Sequence, residues 1–161
     1  MSYVIMFVCT GNTCRSPMAH GILQSMIDSD NIEAAEVIST GTGTLDGYPV
    51  SLNSTAAAAK DGVDISHHHS LALTPELIEG SDLILTMAYE HLFGVISMYP
   101  KADGKVFMLK AFPDSEPSPE LSVDDPVGSD FEMYQKTYSE IKAELVRIWP
   151  AIKQRIDEKL R

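Results

Sequence analysis

The chain has 161 residues, the size of one domain, and one domain over residues 1–161 is expected. Its 12 Lys and Arg against 23 Asp and Glu give a formal net charge of −11, which argues against a surface built to neutralise a nucleic-acid backbone. Apolar residues make up 44%, yet no apolar run nears the roughly 18 residues of a membrane span.

Met1-Ser2-Tyr3 lead straight into apolar sequence without a basic leader, so a cytoplasmic protein is expected. Val4 to Val8 is a continuous apolar run, which reads as a strand buried on both faces. A polar loop, Cys9 to Arg15, follows. Ser16-Pro17 then predicts a helix start, with Ser16 as the N-cap, and the helix runs to about Asp28. Glu36 to Thr40 reads as the second strand. Residues 51–61 read as a helix stopped by Gly62. Thr74-Pro75 caps a short helix, and Asp82 to Met87 is a third strand. A helix from about Tyr89 ends before Pro100, and Lys105 to Leu109 is a fourth strand. The proline-rich stretch 111–122 reads as a surface loop. A long amphipathic helix starts at Asp130, and Pro150 is expected to kink or end it.

Strands alternating with helices predict an α/β fold with a parallel sheet. Ligands in such sheets sit at the carboxyl ends of the strands, so the loop after the first strand is the first candidate site.

That loop is Cys9-Thr10-Gly11-Asn12-Thr13-Cys14-Arg15-Ser16. It holds the only two cysteines, too few for a disulfide scaffold and better suited to chemistry. A cysteine just before a helix N-terminus is placed to act as a thiolate. A short loop there can turn successive N–H groups onto one phosphoryl group. Gly11 supplies the backbone freedom such a curl needs. Arg15 offers a planar fork for two phosphoryl oxygens. Ser16 can donate to the Cys9 sulfur. A leaving group also needs a proton, and a carboxylic acid on a nearby loop fits; Asp124-Asp125-Pro126 lies just after the proline-rich loop.

The run Val8 to Ala19 resembles the phosphate-binding loop of low-molecular-weight protein tyrosine phosphatases. The similarity continues through Ser39-Thr40-Gly41, Asp82 to Met87 and Asp125-Pro126, and covers nearly the whole chain. The resemblance implies a four-stranded parallel sheet flanked by helices on both faces. It implies a cysteinyl-phosphate intermediate, a phosphorylated protein as substrate, and neither metal nor other cofactor. Cys9, Arg15 and Asp125 are then catalytic, and residues 10–16 bind phosphate: Thr10, Gly11, Asn12, Thr13, Cys14, Arg15 and Ser16. Asn12, Ser16 and Ser39 match a polar network that buttresses the loop. The family histidine maps best to His67, with His68 and His69 as alternatives. His20 and His91 read as helix-surface residues. Cys14 is expected to trap oxidised Cys9 as a reversible disulfide.

Two departures bear on the substrate. Tyrosine-specific members carry a bulky aliphatic residue where Thr13 stands, and follow the Asp-Pro with two tyrosines, where Val127 and Gly128 stand here. Thr13 and the spacing from Asp125 to Tyr134 resemble the bacterial protein-arginine phosphatase branch, although that branch usually has an aromatic residue at the position of Val127. Leu45 falls near a rim position that is often aromatic in tyrosine-specific members. Phosphoarginine is therefore the expected substrate and phosphotyrosine the alternative. An arsenate reductase would need further relay cysteines, and a mere phosphate-binding module would need neither Cys9 nor Asp125. A monomer is assumed, with no nucleic-acid or membrane partner.

Overall fold

A computed structural model describes residues 1–161. The chain runs β1 (Tyr3–Cys9), α1 (Arg15–Ser29), β2 (Ala35–Gly41), α2 (Leu52–Ala59), α3 (Pro75–Gly80), β3 (Leu83–Thr86), α4 (Tyr89–Met98), β4 (Val106–Met108) and α5 (Phe131–Leu160). The strands form one sheet in the order β2-β1-β3-β4, with every pairing parallel. From β1 the chain moves outward to β2, then returns past β1 to β3. The carboxyl end of β1 is thus the topological switch point, where such sheets bind ligands. Cys9 is its last residue.

Alternation along β1 divides the core. Ile5, Phe7 and Cys9 join Met18, Leu23, Ile141 and Leu145 in one cluster, which buries the inner faces of α1, α2 and α5. Met6 and Val8 point the other way and pack with Ile78, Leu92 and Val95 of α3 and α4. Both faces are covered, which is why β1 reads as an unbroken apolar run. No helix is long and apolar enough to cross a membrane.

The element boundaries differ from expectation in two instructive places. Helix α1 begins at Arg15, one residue before Ser16, and the side chain of Cys14 at its N-cap makes no capping bond. Pro17 then falls at the third helical position, where an N–H would lack an intrahelical partner anyway. The Ser16 hydroxyl is free for other work. Pro150 does not end α5, which continues for ten more residues to Leu160. Pro150 is exposed, whereas Ile148, Ile152 and Ile156 are buried on the opposite side. The lost backbone bond faces water, and core packing carries the helix through.

Candidate active site

The loop from Cys9 to Arg15 lines a cavity of about 200 Å³ together with Asp125 and Val127. Its shape is set by Asn12, the one loop residue with positive φ, at 55°. The sequence suggests Gly11 for that role, and the structure assigns it to Asn12. A Cβ on Gly11 would meet nothing nearer than the Thr13 hydroxyl at 3.6 Å. Asparagine tolerates the left-handed region when its amide is held locally, and here it is held on all sides. Asn12 Nδ2 donates to Ser16 Oγ at 2.7 Å and to Ser39 Oγ at 3.1 Å. Its Oδ1 accepts from the Leu71 N–H at 2.8 Å. The expected Asn12–Ser16–Ser39 group is therefore brought together.

The histidine is a correction. His68, not His67, reaches the loop: its Nε2 donates to the Asn12 carbonyl at 2.9 Å. The chain turns tightly over residues 66–69, and neighbouring side chains diverge. His67 is exposed, and His69 Nδ1 turns back onto the His67 carbonyl instead. His20 lies within reach of Ser39, Nδ1 to Oγ 3.4 Å. Burial, then the neighbouring His68 and His67, push its pKa down to about 4. Burial also lowers His68.

Cys9 is 2% exposed. Its sulfur lies 2.9 Å from Ser16 Oγ and accepts from the Asn12 N–H at 3.3 Å. Burial pushes the thiol up, while the Ser16 and Asn12 bonds and the Arg15 charge pull it down. The N–H groups of Gly11, Thr13 and Cys14 donate to no protein atom. Free donors beside a helix N-terminus favour an anion, on sulfur or on a bound oxygen.

Arg15 is 3% exposed. Its Nη1 donates to the Val123 carbonyl at 2.9 Å, and Nη2 lies 3.4 Å from Asp125 Oδ2. The guanidinium is fixed before any ligand arrives, and it joins the two loops. Asp125, its side chain 41% exposed, takes the Val127 N–H on its other oxygen at 3.1 Å. Asp125 borders the cavity; Asp124 does not. Thr13 borders it too, whereas Tyr134 lies beneath the loop with Oη 3.5 Å from Cys14 Sγ. Burial, then the Cys14 contact, pushes Tyr134 up to about 12. Cys14 also lies 3.6 Å from Ser51 Oγ, and both cysteines are free thiols. Leu45 stands outside the cavity, 67% exposed.

The sequence reading missed His91. It is not on the helix surface but 1% exposed, with Nε2 2.8 Å from Thr10 Oγ1. Its position in the first turn after β3 was the available signal, because that turn opens onto the carboxyl end of the sheet.

A Cys, an Arg and an Asp around a pocket with free N–H groups can attack, hold and protonate a phosphoryl ester or amide. The comparisons agree with that chemistry. Residues 4–160 match the family model described as low molecular weight phosphotyrosine protein phosphatase. A probable low molecular weight protein-tyrosine-phosphatase, EpsP of Ralstonia nicotianae, is 38% identical over 109 residues, covering 68% of this chain and 72% of that protein. The protein-arginine-phosphatase of Bacillus subtilis is 33% identical over 147 residues, covering 89% and 91%. The crystal structure of a low molecular weight protein tyrosine phosphatase from T. tengcongensis superposes with a TM-score of 0.85 at 36% identity, covering 93% of this chain and 99% of that one. The chain belongs to the low molecular weight protein phosphatase family, whose members are cysteine-based hydrolases of phosphorylated proteins.

Proposed function

We propose that this chain is a protein-arginine phosphatase in which Cys9 is the nucleophile, Arg15 the phosphoryl clamp and Asp125 the acid and base. The Cys9 thiolate attacks phosphorus and the bond to the leaving nitrogen breaks. Asp125 gives that nitrogen its proton. Arg15 and the free N–H groups of the loop meet the charge on the phosphoryl oxygens. Water then attacks the cysteinyl phosphate, Asp125 takes back a proton, and inorganic phosphate leaves with the thiolate restored. The first step needs a thiolate and a protonated carboxyl together. The rate with an aryl phosphate should therefore be bell-shaped against pH.

The observation that carries the choice of phosphoarginine is the cavity wall. It contains the hydroxyls of Thr10 and Thr13, the Asp125 carboxylate and Val127, and no aromatic ring. A phosphotyrosine ring would lose stacking worth about 1 kcal/mol per missing ring. A guanidinium, which carries only donors, gains acceptors from a hydroxyl and a carboxylate. The homologue from Bacillus subtilis that bears the arginine-phosphatase name supports the same reading. Turnover of matched phosphoarginine and phosphotyrosine peptides tests it. Faster turnover of the phosphoarginine peptide is expected. Efficient use of phosphotyrosine alone returns the chain to the tyrosine-specific reading, which the name of the Ralstonia relative favours.

The proposal extends to Cys14 as a guard. Peroxide converts the Cys9 thiolate to a sulfenic acid. The Cys14 thiol attacks that sulfur, water leaves, and a disulfide forms that thiols can reduce. Cys14→Ser enzyme should recover less activity than wild type after peroxide and then dithiothreitol. Equal recovery refutes the guard.

A further inference from the structure

Thr10 follows Cys9 directly and borders the cavity with an exposed side chain. Its backbone is held from the β2 side. The Thr10 carbonyl accepts the Gly43 N–H at 3.0 Å. Gly41 presses so close that a Cβ there would sit 2.4 Å from the same oxygen. The side chain is held from the opposite side, by His91.

The state of His91 follows from its two partners. Nδ1 lies 3.0 Å from the Ala88 nitrogen, at the N-cap of α4. A backbone N–H can only donate, so Nδ1 is the acceptor and carries no proton. The neutral ring must then be protonated at Nε2, which donates to Thr10 Oγ1 at 2.8 Å. Burial and the nearby Arg15 charge lower its pKa to about 4, so the neutral form prevails at working pH. The Thr10 hydroxyl thus accepts from His91 and keeps its own hydrogen, for which no other protein partner of Oγ1 exists among the side-chain bonds. That hydrogen is free to turn to the cavity, on the side away from the imidazole.

We infer that His91 is a positioning residue for the phosphatase reaction: it fixes the Thr10 hydroxyl as an extra hydrogen-bond donor to the phosphoryl group of the bound substrate. This rests on the phosphatase reading above. It adds a side-chain donor to the ring of backbone N–H groups, and it ties that donor to the first turn of α4. His91 touches no substrate and acts only through Thr10.

The two nitrogens of His91 can be separated by substitution. Asparagine at 91 keeps an acceptor near the Nδ1 position, and so the bond to Ala88, while losing the Nε2 donor. Glutamine reaches further and keeps a donor near Nε2. With p-nitrophenyl phosphate, His91→Asn should lower kcat about three- to tenfold with little change in KM, the size of one neutral hydrogen bond. His91→Gln should stay within about twofold of wild type by the same measure. A purely structural capping role predicts the reverse order. In a Thr10→Val background, which itself should lose about the same factor, His91→Asn should cost nothing further. A deficit in His91→Gln equal to or larger than that of His91→Asn overturns the inference, and so do effects that multiply across the two sites.

Nitrogen-15 NMR of the wild-type protein needs no variant and stays decisive if one fails to fold. It should place the proton of His91 on Nε2, and a proton on Nδ1 overturns the inference. If wild-type protein hydrolyses no aryl phosphate, the phosphatase reading is what fails, and the NMR still reports separately on His91.

Discussion

The two walls of the cavity are built by opposite rules. The loop from Cys9 to Ser16 is mostly buried and its side chains are tightly held: Asn12 alone ties Cys9, Ser16, Ser39, Leu71 and His68 together. The facing segment, Asp124 to Ser129, is mostly exposed, and its polar contacts are an Asx turn at Asp125, the Ser129 N–H to the Pro126 carbonyl, and the ion pair to Arg15. A phosphoryl group is the same in every phosphoprotein substrate, so the donors that hold it gain from being rigid beforehand. The leaving group differs between substrates, so the wall that meets it is free to vary. On the proposed mechanism the first wall holds the phosphoryl group, and the second supplies the acid and meets the leaving group.

Removing groups from the rigid wall should produce the largest losses. Cys9→Ser should lower kcat for p-nitrophenyl phosphate by about 10⁴-fold or more, since no other side chain replaces the sulfur. Arg15→Ala should lose about 10²–10³-fold, the cost of a preset donor to developing charge. Measurable turnover near the wild-type rate in Cys9→Ser would sink the covalent mechanism. On the facing wall, Asp125→Asn should lose about 10²-fold or more with a poor leaving group such as phenyl phosphate. With p-nitrophenyl phosphate the loss should be much smaller, because that leaving group departs without a proton. Equal losses on both substrates would deny Asp125 the role of acid.

The scaffold of the rigid wall is testable through stability. Asn12→Ala strands the Leu71 N–H and removes the side-chain bonds that hold residue 12 at positive φ. It should cost about 2–4 kcal/mol in urea unfolding. A smaller effect follows from two histidines, His91 buried and His20 half-buried. His91 and His20 each have a folded pKa near 4, below the 6.5 of the free side chain. Protonation therefore favours the unfolded chain. Their contribution to stability is complete above about pH 6.5 and drains away as pH falls toward 4. The melting temperature should drop across that window, and His91→Gln should flatten the slope. An unchanged slope would mean that His91 is not neutral in the fold.

The rigid wall was the legible one. An apolar strand, a short polar loop and a Ser-Pro helix start are local signals, and they locate Cys9, Arg15 and Ser16 directly. Asp125 needed the resemblance, because Asp-Pro is ordinary turn chemistry and the loop is 110 positions from Arg15. Four details escaped because they are settled by long-range packing. Which of three adjacent histidines meets Asn12 depends on how residues 66–69 turn beneath the loop. His91 looked like a surface residue because a helical stripe does not reveal that its first turn faces a neighbouring strand's end. Asn12 rather than Gly11 takes the left-handed conformation because Ser39 and Leu71 hold its side-chain amide and His68 its backbone carbonyl, and those partners lie 27, 59 and 56 positions away. Pro150 survives inside α5 because burial of Ile148 and Ile152 outweighs one missing bond.

The variable wall allows the finest test of the division. Val127 borders the cavity and is 64% exposed, so a larger side chain there displaces water rather than protein. Its backbone N–H, not its side chain, holds Asp125. Val127→Phe should therefore leave the acid in place and add a ring against the leaving group. An aromatic pair is worth about 0.5–1.5 kcal/mol, so kcat/KM for a phosphotyrosine peptide should rise about two- to tenfold. A guanidinium also stacks on a ring, and a phosphoarginine peptide should gain less, because it already has hydroxyl and carboxylate partners. The ratio of the two activities should then move toward phosphotyrosine while p-nitrophenyl phosphate retains its dependence on Cys9 and Arg15. If the ratio stays fixed, selectivity does not reside in this wall. The hydroxyls of Thr10 and Thr13 on the rigid side would then carry it instead.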